Sequence, residues 1–83
     1  VNLILGYQLI VAESFNEAEK YIDEYMELLP DAPNAYDSKG DLYMAWGKYE
    51  LAYKSFMKAH NLGWSDEKAK QAKAKLDELM TEL

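Results

Sequence analysis

Residues recur along this chain at a spacing of 34. Gly6 returns as Gly40, Ala18 as Ala52 and Leu28 as Leu62, and Phe15 returns as the similar Tyr49. Tyr25 and Ala59 fall in the same register. One shared glycine is chance. Several residues at one offset, each at a helical position, mark a repeated unit, and a period of this length points to stacked supersecondary units.

Each unit reads as two helices. From Asn16 to Leu29 the apolar residues Ala18, Tyr21, Ile22, Tyr25, Met26, Leu28 and Leu29 form a stripe at helical spacing. Glu17, Glu19, Asp23, Glu24 and Glu27 lie opposite. From Tyr49 to Leu62 the stripe is Tyr49, Ala52, Tyr53, Phe56, Met57 and Ala59. Asn16 with Glu19 resembles a capping box. Gly47 and Gly63 mark helix ends, and Pro33 a helix start. The pattern predicts five helices, over about 2–13, 16–29, 33–46, 49–62 and 66–82. Short connections make successive helices antiparallel neighbours. Val1 to Ala12 reads as a buried strand in isolation, but the alignment of Gly6 with Gly40 places it in a helix.

Composition narrows the function classes. The 83 residues carry a net charge of −6, which disfavours a phosphate backbone and an anionic membrane surface. Hydrophobic residues make up 49%, too many for a disordered acidic tail. With no Cys there is no disulfide framework, thiolate zinc site or thiol nucleophile, and no compartment is fixed. The apolar stretch Val1 to Ala12 is too short to span a bilayer, which takes about 20 residues. It also lacks a signal-peptide pattern. The opening Val reads as the mark of a fragment, a processed product, or a chain with its start removed.

Tyr36-x2-Lys39-Gly40-x2-Tyr43 followed by Ala52-x3-Phe56 resembles the tetratricopeptide repeat, a 34-residue helical hairpin. Leu5-Gly6, Leu9, Ala18-x3-Ile22 and Pro30 resemble it more weakly. The resemblance implies an all-α domain of two repeats, 1–31 (lacking its opening residues) and 32–65, closed by a capping helix at 66–83. Three positions depart from the family pattern. Lys39 stands where the family has Leu, so its stem is expected to snorkel. Tyr36 replaces Trp. Trp64 replaces Pro, so an indole is expected to pack the bend before the last helix. Gly40 and Ala52 are small where two helices cross, and Tyr43 and Phe56 fill the space around the crossing. The string Ala35 to Tyr43 is also similar to C-terminal repeat segments attached to bacterial secreted or membrane-associated serine hydrolases. No catalytic residue transfers from that likeness.

No catalytic, metal or cofactor set emerges. His60 is the only His, and Ser55, five residues earlier on the same helix, points away from it. His60 reads as a solvated surface residue. Asp37 and Asp41 share a helix face but are at best a weak hard-cation pair. In arrays of the resembled family the first helix of each unit lines a concave groove. That places Tyr7, Ile10 and Val11, then Asp37, Asp41 and Met44, then Gln71 and Lys75, along one groove. A partner's Lys, Arg or free amine is expected to meet Asp37 and Asp41. Family members that hold acidic chaperone tails use basic and amide residues there. The equivalent positions here are Leu3, Tyr7, Ser38, Asp41, Lys68 and Ala72, where only Lys68 matches by charge, so no chaperone tail is expected.

The acids from Glu13 to Asp31 read as a solvated helix face. The stripe Ala69, Ala72, Leu76, Leu79 and Leu83 makes the last helix a cap. Helix 2–13 is apolar on nearly every side, so a cover is expected from an upstream repeat, a neighbouring domain of a longer chain or a second copy. The leading expectation is a non-enzymatic protein or peptide interaction module, the C-terminal part of a longer bacterial protein. Alternatives are a structural accessory domain of an upstream hydrolase and a module that self-associates through residues 1–12.

Overall fold

The computed structural model describes residues 3–81, and among them every regular element is a helix. In chain order these are α1 (Ile4–Val11), α2 (Phe15–Leu28), α3 (Pro33–Trp46), α4 (Tyr49–Asn61) and α5 (Glu67–Thr81). The domain is flat, about 41 × 29 × 15 Å across its Cα atoms. The helix α3 is central, packing against α1, α2 and α4, while α5 packs on α4. All five helices fall where the hydrophobic period places them, with ends shifted by a few residues. Val1 and Leu83, expected on the apolar sides of the first and last helices, lie outside the described residues.

Local sequence explains the ends. Pro33 opens α3 at its first position, where a missing N–H costs nothing. Gly47 closes it in the left-handed region at φ 81°, while the Lys48 N–H donates to the Tyr43 carbonyl at 2.8 Å. The turn after α1 is the same turn 34 residues earlier. There the Ser14 N–H donates to the Leu9 carbonyl at 2.9 Å, and Glu13 takes the left-handed position at φ 60°. The capping box expected from Asn16 and Glu19 is absent. The helix starts one residue before Asn16, Ser14 is the cap, and the Glu19 carboxylate is engaged elsewhere.

The core forms two clusters. Leu3, Ala18, Ile22, Tyr25, Ala35 and Leu42 make the first, and Tyr43, Ala52, Phe56, Ala69 and Ala72 the second. Trp46 packs against both. Its ring stacks on Phe15 at 5.4 Å between centroids, and Lys48 Nζ lies 3.7 Å above it. The close helix crossing expected at Gly40 is present. A Cβ there would fall 2.2–2.7 Å from the Phe56 ring, inside any tolerable contact. At Gly6 a Cβ would meet Ile22 at 3.4 Å, an ordinary contact.

Two expectations need correction. The acids of α2 are not all solvated. Tyr43 Oη donates to Glu19 at 2.7 Å, and Lys39 Nζ pairs with Asp23 at 2.6 Å, tying α2 to α3. The snorkelling expected of Lys39 supplies that pair. Trp64 does not pack the bend before α5 as a buried indole, being 44% exposed, whereas Trp46, partly buried at the end of α3, packs against both clusters. On α1, Leu5, Tyr7 and Val11 are exposed.

Candidate functional site

Three helices meet through a chain of polar side chains. Lys68, in the first turn of α5, donates to Asp37 Oδ2 at 3.0 Å and to both Asp41 oxygens at 3.1 and 3.0 Å. Tyr7 Oη on α1 donates to Asp41 Oδ2 at 3.0 Å, and Ser38 Oγ donates to Tyr7 Oη at 3.1 Å. Helical spacing puts Asp37 and Asp41 one turn apart on α3, so one ammonium spans both carboxylates. The hydroxyl of Ser38, a buried polar residue, finds its partner in Tyr7.

The electrostatics follow from this geometry. Burial works against the Lys68 ammonium, but the hydrogen bonds and charges of Asp37 and Asp41 outweigh it and raise its pKa. Burial also raises the Tyr7 phenol. The Ser38 hydroxyl opposes that shift and the Asp41 carboxylate adds to it. The two acid side chains are 13% and 25% exposed, and Lys68 is 43% exposed, so water reaches the cluster mainly from the lysine side. Beside it Asp37, Trp64, Ser65, Glu67 and Lys68 line a depression of about 140 Å³.

The residues expected in one groove fall into three groups. Tyr7, Asp37 and Asp41 are joined directly in the network. Ile10 and Met44 are half-buried and support the two core clusters, while Val11 is 84% exposed one turn beyond Tyr7. Gln71 and Lys75 are exposed on α5, and Lys75 pairs with Glu78 at 3.7 Å. They do not join the network. The helix contributes through Lys68, at the same helical stripe three residues before Gln71.

The acid pair expected to meet a partner's cation has a cation of its own chain beside it. Lys68 already holds both carboxylates. Ser38 and Lys68, which match positions of a chaperone-tail clamp, serve this network instead. The only sequence signal for the link of Lys68 to Asp37 and Asp41 is charge, a lysine at the start of α5 and two acids one turn apart on α3.

His60 is exposed, with Nδ1 2.9 Å from the Trp64 carbonyl oxygen. Among the described residues, no group of three or more His, Cys, Asp or Glu side chains could hold a metal ion. No described helix is long and apolar enough to cross a membrane. Compared with known proteins, the chain matches no family model, no curated protein and no solved structure.

Proposed function

We propose that the chain is a tetratricopeptide-like stack of two helix pairs, α1–α2 and α3–α4, closed by α5, and that it serves as a non-enzymatic interaction module. Helix starts support the repeat. Phe15 and Tyr49 begin α2 and α4, and Pro33 and Glu67 begin α3 and α5, each pair 34 residues apart. The shared turn after α1 and α3 supports it too, as does the glycine-to-large contact across each pair (Gly6 with Ile22, Gly40 with Phe56).

The binding face is formed by α1, α3 and α5. One observation carries this reading. On an eight-residue helix without a charged side chain, Tyr7 and Val11 are exposed, next to a polar network that fixes Tyr7 against α3. A fixed aromatic beside exposed aliphatic surface is the usual composition of an energetic anchor. The partner is a protein segment that rests apolar side chains on Tyr7, Ile10, Val11 and Met44. A cation on that segment would have to displace Lys68, so apolar contact supplies the affinity.

The test begins with peptide ligands selected against the chain. Val11→Glu weakens the selected ligands at least about tenfold, because a charge is then buried at the contact. Affinity unchanged by that substitution and by Tyr7→Ala, in variants of unchanged helicity, overturns the reading. Self-association through α1 is a second reading, favoured by the exposure of Leu5 and Val11. A sedimentation mass that rises with concentration, and that Val11→Glu returns to 9.6 kDa, would establish it.

A further inference from the structure

Between α2, α3 and α4 lies a depression of about 260 Å³ whose lining includes three lysines and no carboxylate. Helical spacing assembles it. Tyr36, Lys39 and Tyr43 share one face of α3, and Lys54, Ser55 and Lys58 share one face of α4. Both phenols are fixed at their hydroxyls. Tyr36 Oη donates to the Pro30 carbonyl at 3.2 Å, and Tyr43 Oη donates to Glu19 at 2.7 Å. An ammonium lies near each ring, Lys58 Nζ 5.8 Å from the centre of Tyr36 and Lys39 Nζ 5.9 Å from that of Tyr43. Other depressions of the surface mix lysine with acid, Lys20 with Glu17 and Glu24, and Lys68 with Asp37 and Glu67.

The three cations are not used up inside the fold. Among the described residues Lys58 meets no carboxylate, only the Tyr36 ring. Lys54 pairs with Glu50 at 3.6 Å, but the two side chains are 68% and 73% exposed, so water screens the pair and the lysine is free to turn. Lys39 gives one N–H to Asp23 at 2.6 Å and keeps two more. Ser55 is half-buried, and its hydroxyl has no hydrogen-bond partner among the described residues.

We propose that this depression binds a phosphate monoester, with the phosphate held by Lys39, Lys54 and Lys58 and the organic part resting on Met26 and Leu51 at its edge. Charge complementarity selects the class. A carboxylate brings one charge and two oxygens in one plane. A phosphate monoester brings nearly two charges and three splayed oxygens, which suits ammoniums arriving from two helices. The Ser55 hydroxyl donates to one of those oxygens. A polyanion is disfavoured by the net charge of −6 on the whole chain, whereas a single ester meets only the local wall. The site shares no residue with the α1–α3–α5 face and is independent of it.

The test titrates the isotope-labelled chain at about pH 7.5, where the ester is mostly a dianion, with phenyl phosphate and with benzoate. Phenyl phosphate moves the resonances of Lys39, Ser55 and Lys58 and binds at least about tenfold more tightly than benzoate, which carries the same ring on a single charge. Lys58→Gln, at an exposed position, lowers the affinity for phenyl phosphate at least about threefold with helicity unchanged. Lys70→Gln removes the same charge from the exposed side of α5 and leaves the affinity as it was, which separates a site from the general attraction of any lysine. A capped peptide carrying phosphotyrosine identifies the source. Tighter binding than phenyl phosphate assigns the ester to a protein side chain, weaker binding assigns it to a free small molecule, and both support the proposal. The proposal is overturned if phenyl phosphate leaves those resonances unmoved, if benzoate binds as tightly, or if the two lysine variants weaken binding alike.

Discussion

Two positions 34 residues apart carry the same backbone conformation with different residues. Gly47 adopts its left-handed φ freely, whereas Glu13 adopts it against the clash of its Cβ with the backbone. Glu13→Gly is therefore expected to stabilise the fold by about 0.5–1 kcal/mol, read as a higher thermal midpoint. A midpoint that falls would contradict the account of this turn. The two helical glycines separate in the opposite sense. Gly6→Ala is expected to gain about 0.5–1 kcal/mol from helix propensity, since its Cβ meets Ile22 at a normal distance. Gly40→Ala is expected to lose about 3 kcal/mol, because the buried Phe56 ring must leave its place. Urea unfolding of both variants checks the difference, and equal effects would show that the two crossings are alike.

Those glycines also show what the sequence could and could not reveal. The period of 34 places Gly6 and Gly40 at equivalent points, and their common helical setting is legible from it. Their unequal tightness is not, because it depends on whether Ile22 or Phe56 sits across the gap and on how far that side chain reaches. The left-handed Glu13 is hidden for a related reason, since glutamate carries no local signal for that conformation. Only its alignment with Gly47 could have disclosed it.

Among the elements, the joints between helices were the least legible part. Apolar stripes announce which face of α2 and α4 turns inward. They say nothing of Glu19 reaching Tyr43 or of Lys68 spanning Asp37 and Asp41, because such pairs join residues 24 to 31 positions apart. The Lys68 joint ties α5 to α3. Lys68→Met leaves two adjacent carboxylates without their cation. Partial exposure of Lys68 limits the loss to about 1 kcal/mol, below that of a buried pair. Asp37→Asn in the same chain should recover part of it, by removing one of the facing charges. A Lys68→Met chain as stable as the parent would mean that the joint contributes orientation without stability.

At the scale of the whole molecule the phenols and the lysine act together in alkali. Burial and the Glu19 carboxylate raise the Tyr43 phenol strongly, and burial raises Tyr7. Lys68 is raised by its two acids against the effect of burial. All three groups keep their protons longer in the folded chain. Their contribution is complete below the ordinary values of 10.0 and 10.5 and is lost as pH rises through the folded values. Stability should therefore fall above about pH 10, and Tyr43→Phe should flatten that fall. A urea midpoint constant from pH 8 to 11.5 would contradict it.

The proposed function belongs to the same scale. The α1–α3–α5 surface places an uncharged helix next to an internally matched polar network, on a chain whose net charge is −6. The most direct measurement is chemical-shift mapping of the labelled chain with a peptide selected for binding. The account predicts that the largest shifts cluster at Tyr7, Ile10, Val11 and Met44, with smaller ones at Asp41 and Lys68 through the network. Shifts confined to the outer surfaces of α2 and α4, with Tyr7 and Val11 unmoved, would contradict it.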